Sequence, residues 1–182
     1  MSTGQILLLG ALAGVTIFIG LPMGRVQGIS QDVKAFLSAT ATGIGLHNFS
    51  EGLAIGQAAA TDKISLAYVL VIGFGLHNAT EGFGIVAPLS GDAEKPSWRF
   101  LALLGVIGGA PTFFGTVVGQ AWTSTAVSVL FLTLAAGSIL YVVMELLNVC
   151  RLFSSKTVTA WGLILGLTLG FATDFVLVAA GV

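Results

Sequence analysis

The sequence predicts an all-α integral membrane protein, a polytopic bundle of six transmembrane helices. Of its 182 residues, 55% are hydrophobic and only 8% are charged, whereas soluble domains carry roughly 25% charged residues. The apolar runs are continuous rather than alternating, which favours helices over barrel strands. The net charge of −1 and the lack of a basic cluster give no indication of a nucleic-acid partner.

Six segments reach the roughly 20 residues that a helix needs to cross a hydrocarbon core. They span residues 5–23, 35–60, 65–88, 100–120, 124–147 and 158–182. Short polar connections separate them, such as residues 61–63 and 90–95. We therefore predict that residues 1–182 form a single transmembrane domain within the lipid bilayer.

The basic residues are distributed unevenly over the predicted loops. The first, third and fifth loops carry six of the seven bases, which are Arg25, Lys34, Lys95, Arg99, Arg151 and Lys156. The opposite side carries only Lys63. Because basic loops tend to stay in the cytoplasm, we predict a multi-pass protein of the inner or plasma membrane with both termini outside.

Glycines recur at four-residue spacing in several segments, and Gly162, Gly166 and Gly170 form such a stripe in the last one. Such stripes let helix backbones approach closely in lipid, so we predict tight packing there. The last segment is also the candidate surface for a homodimer. Pro111 is expected either to kink the fourth helix and frame a cavity or to serve packing alone. The single Cys150 excludes an internal disulfide and a Cys-rich zinc module.

Two near-identical strings lie inside apolar runs, His47-Asn48-Phe49-Ser50-Glu51-Gly52 and His77-Asn78-Ala79-Thr80-Glu81-Gly82. In each, His and Glu are four residues apart and share one face of a helix. Ionisable side chains are costly in a membrane and are usually kept for function. Both motifs fall near the middle of antiparallel segments, as in the midplane sites of many transporters. The repeat predicts a metal site on a transport path, formed by His47, Glu51, His77 and Glu81.

The donor set indicates which ion such a site would take. The two carboxylates contribute a charge of −2 and the two neutral imidazoles contribute none, so one divalent cation makes the cluster neutral. Imidazole with carboxylate suits zinc, iron(II) or manganese, and cadmium is a further candidate, whereas calcium and magnesium prefer an all-oxygen shell. We expect the ion to be the substrate of the protein, and the absence of thiolate ligands favours its release.

Asn48 and Asn78 each follow a motif histidine, about 100° further around the helix. We include both in the candidate metal site, either as oxygen donors to a weaker adjacent position or as residues that orient the ligands. The orienting role is favoured because no third acid is present to hold a second ion. Ser50 and Thr80 are expected to bond back to their own helix backbone.

Two further acids lie within apolar runs and are candidates for the ion pathway. Glu145, near the cytoplasmic end of the fifth segment, is either a cation way-station or an end residue that reaches the interface. Asp174 lies deeper in the last segment and either pairs with another polar group or lines the path. The sequence lacks a His-Glu-x-x-His motif and a separate general base beside the ligands, so we predict no enzymatic activity.

The paired motif resembles that of the ZIP family of zinc and iron transporters. The fourth span of that family carries His-Asn-x-Pro-Glu-Gly, which residues 47, 48, 51 and 52 match, and residues 77, 78, 81 and 82 match a related fifth-span motif. The stretch 140–147 looks like the seventh span of the family, with Glu145 near its usual acidic position. The resemblance implies import of a divalent metal toward the cytoplasm, with both termini outside. It also implies movement of a bundle of the first, fourth, fifth and sixth spans against a scaffold.

Three departures from the family pattern modify these expectations. Ser50 and Thr80 replace the motif prolines. The sixth-span acid that completes a second metal position in some members has no counterpart in residues 100–120, so we expect one principal ion. The family has eight spans, whereas residues 34–40 here look like the start of the second span and continue directly into residues 42–47, which look like the fourth.

The sequence as a whole predicts a transporter of divalent transition-metal cations, with zinc as the favoured ion. The alternative is a shortened paralogue or a fragment of such a transporter that binds metal but does not transport it. That alternative rests on the missing remainder of the second span and the missing third span.

Overall fold

The computed structural model describes residues 2–22, 31–87, 96–153 and 155–179, and every regular element in these ranges is a helix. The helices are α1 (Thr3–Val15), α2 (Gln31–Ala60), α3 (Ile64–Val86), α4 (Trp98–Ala121), α5 (Thr125–Phe153) and α6 (Lys156–Ala179), with a 3₁₀ turn at Thr16–Ile19. The prediction of an all-helical fold is confirmed. Arg25, Lys95 and the connection 90–95, on which part of the loop-charge count rests, lie outside the described residues.

Three helices in the described part of the chain are long and apolar enough to cross a membrane. They are Ile64–Val86, Trp98–Ala121 and Thr125–Arg151. The apolar stretches Thr3–Ile19 and Lys156–Ala172 are shorter. Helix α2 has 30 residues but is less apolar than the other long helices, since it carries the first His-x-x-x-Glu motif and many small polar residues. Length and composition thus support a membrane protein.

Helix α2 is the centre of the bundle. It packs most extensively against α4 and also contacts α1, α3 and α5. A core that includes Ile17, Leu37, Ile85 and Leu104 joins these helices, and Val142 of α5 contributes from the other side. Because lipid tails are as apolar as these side chains, the helices are held by close fit rather than by exclusion of water.

Glycines allow α2 and α4 to approach at backbone contact. A Cβ atom added at Gly52 would overlap the carbonyl of Thr112, and one added at Gly119 would overlap the backbone of Leu53. The predicted role of glycines in tight packing is therefore confirmed at this interface.

The glycine stripe of α6, by contrast, makes no such contact within the described part of a single chain. Within the described chain, nothing lies within 4 Å of a Cβ atom built at Gly162, Gly166 or Gly170. The physical reason is that α6 contacts α5 only slightly and so brings no second backbone against the stripe.

Helix α4 continues through Pro111, and α2 presents Gly45 to it. A Cβ atom at Gly45 would lie 3.2 Å from the Pro111 ring. Pro111, Phe49 and Phe131 line an apolar cavity of about 480 Å³ between α2, α4 and α5. Of the two alternatives for Pro111, the structure thus shows the one in which it lines a cavity.

A tight turn joins α2 to α3 and makes them an antiparallel hairpin. Asp62 adopts a left-handed conformation, with φ of 58°, which Asp tolerates better than most residues. The Lys63 amide donates to the Ala58 carbonyl at 2.9 Å, and the Asp62 amide donates to the Ala59 carbonyl at 3.4 Å. These two bonds form the Schellman motif that satisfies the last carbonyls of a helix. The hairpin fixes how the two sequence motifs face each other.

The glycine contacts predict opposite effects for two similar substitutions. Gly119→Ala should lower the free energy of unfolding by about 1–3 kcal/mol because its Cβ atom overlaps α2. Gly137→Ala on α5, where nothing lies within 4 Å, should raise it by about 0.5–1 kcal/mol because Ala restricts the unfolded chain. Thermal unfolding in detergent measures both, and shifts of the same sign would contradict the packing described.

Candidate metal site

The α2–α3 hairpin brings the two motifs together. His47 lies as far before the end of α2 as His77 lies after the start of α3. Since both helices leave the same turn, the two histidines are at the same height in the bundle, with ring centroids 5.7 Å apart. The i, i+4 spacing then places one glutamate beside each histidine on the facing sides of the two helices.

The four side chains form a closed ring of donor atoms. His47 Nε2 lies 3.4 Å from Glu51 Oε1, and His77 Nε2 lies 3.2 Å from Glu81 Oε1, within the two motifs. Across the helices, His47 Nε2 lies 4.0 Å from Glu81 Oε1, and His77 Nε2 lies 4.0 Å from Glu51 Oε1. The Nε2 atom of each imidazole thus lies within 4.0 Å of both carboxylates. The structure brings together all four of the residues that the sequence singled out as ligands.

The dimensions of this ring fit a small divalent cation. The donor atoms of His47, Glu51 and His77 all lie within 4.8 Å of one another. Bonds of 2.0–2.1 Å to a tetrahedral zinc ion place ligand atoms about 3.3 Å apart. The two contacts within the motifs already match this separation. The two contacts between helices, at 4.0 Å, are about 0.7 Å longer than this separation, so the side chains would have to move closer together around a bound ion.

The two carboxylates are buried, and most of their oxygens lack a hydrogen-bond donor among the described residues. The side chains of Glu51 and Glu81 are only 6% and 8% exposed, whereas those of His47 and His77 are 23% and 50% exposed. Glu51 Oε2 and both carboxylate oxygens of Glu81 accept no hydrogen bond in the described structure. Buried carboxylates normally have such partners or bind a metal. The donor set is therefore chemically suited to a cation.

The two asparagines contact neighbouring helices rather than the centre of the ring. Asn48 Nδ2 donates to the Gly108 carbonyl of α4 at 3.0 Å, and Asn78 Nδ2 donates to the Ala13 carbonyl of α1 at 2.9 Å. Both residues are fully buried, and both Oδ1 atoms accept no hydrogen bond in the described structure. Each motif helix is thus tied, one residue after its histidine, to a different partner helix.

The two hydroxyl residues inside the motifs behave differently from each other. Thr80 Oγ1 donates to the His77 carbonyl at 2.7 Å, on its own helix as expected. Ser50 Oγ instead donates to the Phe131 carbonyl of α5 at 2.8 Å, so the same expectation is wrong for Ser50. The reason is that α5 packs against this face of α2 and offers an acceptor across the interface. At position 50, where the motif of the resembling family has a proline, this chain thus has a hydrogen bond between α2 and α5.

Of the two predicted pathway acids, the structure describes the side chain of only Glu145, and Glu145 is not part of the cluster. Glu145 is a half-buried residue of α5, and the clustered donors come only from α2 and α3. Asp174 lies in α6, and its side chain is outside the described part of the structure.

A cavity of about 640 Å³ opens onto the donor ring. His47, Glu51 and His77 lie on its wall, together with Leu70, Gly73, Phe74, Leu76 and Thr80, and α6 contributes Gly166, Leu169 and Gly170. Sequence reasoning missed the α6 wall because the approach of α6 to α3 depends on tertiary packing. The one sequence feature that could have indicated this wall is the four-residue spacing of its glycines, which is equally consistent with helix packing.

Comparison with known protein families adds independent evidence. The profile of the ZIP zinc transporter family matches residues 39–178, which is most of the chain and includes both motifs. Searches of curated protein sequences and of solved structures gave no match. The resemblance inferred from the paired motif is confirmed. The all-helical bundle, the His/Glu cluster and the family match together establish that this chain belongs to the ZIP zinc transporter family.

Proposed function

We propose that the protein carries a divalent transition-metal cation across a membrane and binds it at His47, Glu51, His77 and Glu81. The family match supports transport of divalent metal. The observation that carries the assignment of residues is the ring of four donors with contacts of 3.2–4.0 Å, in which both carboxylates are buried.

Zinc is the ion that this donor set favours. Two nitrogen and two oxygen donors, with no sulfur, match the ligand types of tetrahedral zinc sites. Iron(II), manganese and cadmium bind similar donors and are expected as weaker or competing substrates. A site without thiolate binds zinc less tightly than a cysteine cage would, which suits an ion that must leave again.

The resemblance to the family implies transport toward the cytoplasm, in the orientation that the loop charges predict. Six crossings place both termini outside and put the loops that carry six of the seven bases in the cytoplasm. The protein is then a multi-pass protein of the inner or plasma membrane. Glu145 and Asp174, which lie apart from the donor ring in sequence, are proposed as acids along the ion pathway.

Removal of the two ring carboxylates tests the proposed site. The Glu51→Gln/Glu81→Gln variant keeps the shape of both side chains but removes the negative charges that neutralise the ion. Zinc uptake into proteoliposomes should fall to the level of protein-free liposomes.

Asp32→Ala is the matched control, because Asp32 is an exposed acid at the start of the same helix α2. Its uptake should equal that of the wild type. Unchanged uptake by the double glutamine variant would exclude the ring as the transport site.

We assign Asn48 and Asn78 to positioning of the ring rather than to ligation. Their amide groups already bond to the Gly108 and Ala13 carbonyls. These bonds fix the rotation of α2 and α3 about their axes and hence the direction of the ligands. No acid beside the ring offers a charge for a second ion in the described residues.

Substitution of these asparagines distinguishes a positioning role from a role as metal ligands. Asn48→Ala and Asn78→Ala should each lower the free energy of unfolding by about 1–3 kcal/mol, because a buried carbonyl loses a donor. The visible absorption spectrum of bound Co²⁺ should keep its band positions, since the metal ligands are unchanged. Asn148→Ala, at an exposed asparagine of α5, should alter neither quantity. Shifted Co²⁺ bands in the Asn48 or Asn78 variant would identify that residue as a ligand.

A second candidate function is metal binding without transport. The observation that favours it is the weak attachment of α6, which contacts α5 only slightly, while α1 to α4 form a tightly packed unit. A transporter needs a second surface for this unit to move against, and within the described residues that surface consists of α5 and α6. Zinc binding by purified protein, with no zinc flux through the same preparation in liposomes, would select this function.

A further inference from the structure

We propose that Gly166 and Gly170 of α6 keep open the chamber through which the ion reaches the donor ring. This inference rests on the proposed function, since it assigns the approach to the same His/Glu site. The chamber is the cavity of about 640 Å³ between α3 and α6 described above.

The first line of support is the behaviour of glycines in this chain. Along α2 and α4, an added Cβ atom meets the backbone of a neighbouring helix, so glycine there is required for contact. At Gly73, Gly166 and Gly170, which line the chamber from its two opposite walls, an added Cβ atom meets nothing within 4 Å. Glycine at these positions therefore leaves room that no other part of the described chain fills.

The second observation in support is that the four ligand side chains differ in their exposed fractions. The His77 side chain is the most exposed of the four donors, His47 is next, and the two glutamates are nearly buried. Glu51 also lies on the chamber wall, and its Oε2 atom accepts no hydrogen bond. An ion that enters from the chamber thus meets the imidazoles first and ends between the buried carboxylates.

The size of the chamber suits a hydrated ion. A water molecule takes up about 30 Å³ in the liquid, so an ion with six waters needs on the order of 200 Å³. The chamber exceeds this volume, whereas the ring itself has room only for the bare ion. Dehydration therefore takes place where the chamber meets His77 and His47, as imidazole nitrogens replace water one at a time.

Leucines at the two glycine positions test this role. In the Gly166→Leu/Gly170→Leu variant, both side chains project from one face of α6 into the chamber. We expect the association rate of Co²⁺ with the full-length protein in detergent to fall about tenfold, as measured by stopped-flow absorption. Since a blocked path slows exit as much as entry, the dissociation rate should fall by the same factor, and the Kd should stay within about threefold.

Gly162→Leu is the matched control. Gly162 lies one turn before Gly166 on the same stripe and also has nothing within 4 Å of an added Cβ atom, but it does not line the chamber. Its binding rates should equal those of the wild type. Equal association rates in the double variant and in the Gly162 variant would overturn the inference.

Cysteine variants provide a second test that does not depend on the fold tolerating two leucines. In a Cys150→Ser background, a water-soluble thiol reagent should label Gly170→Cys, and Zn²⁺ should slow that labelling. Zn²⁺ should leave the labelling of Gly162→Cys unchanged, and equal effects at the two positions would count against the chamber. If the wild type binds neither Co²⁺ nor Zn²⁺, the proposed function fails and this inference fails with it. If the wild type binds metal normally and the double leucine variant has unchanged binding rates, this inference fails but the proposed function stands.

Discussion

Two buried glutamates that contact the same two histidines inside an apolar bundle determine how the surrounding helices must be held. Two like charges repel each other strongly in a protein interior, and burial of each charge costs several kcal/mol more. Three of the four carboxylate oxygens of Glu51 and Glu81 have no hydrogen-bond donor. A divalent cation supplies the charge that this arrangement lacks, with the imidazoles of His47 and His77 completing its ligands.

The surrounding helices hold this unfavourable arrangement in place. The turn at Asp62 sets the height of α3 against α2, and Asn48 and Asn78 tie the two motif helices to α4 and α1. Glycines then let α4 lie directly against α2, which leaves little freedom to move the ligands apart. On the side of α1 to α4, the site is closely packed. On the side of α6, an open chamber adjoins it.

The sequence predicted the site better than its surroundings, and the reason is physical. The His-x-x-x-Glu spacing defines one helix face regardless of tertiary context, and the equal distances of His47 and His77 from the hairpin turn follow from the sequence alone. Packing of small residues depends on which helix lies opposite. The sequence therefore did not indicate that the stripe around Gly166 lines a chamber, and it did not predict the bond of Ser50 to α5. Both features depend on neighbours that periodicity does not identify.

X-ray absorption spectroscopy at the zinc edge, on the metal-loaded protein, tests the His/Glu site most directly. We expect one zinc ion per chain with four nitrogen or oxygen ligands at about 2.0–2.1 Å. We also expect the outer-shell scattering of two imidazoles, which the His47→Ala/His77→Ala variant should lose. A sulfur ligand at about 2.3 Å, or an unchanged spectrum in that variant, would contradict a site formed by the paired motif.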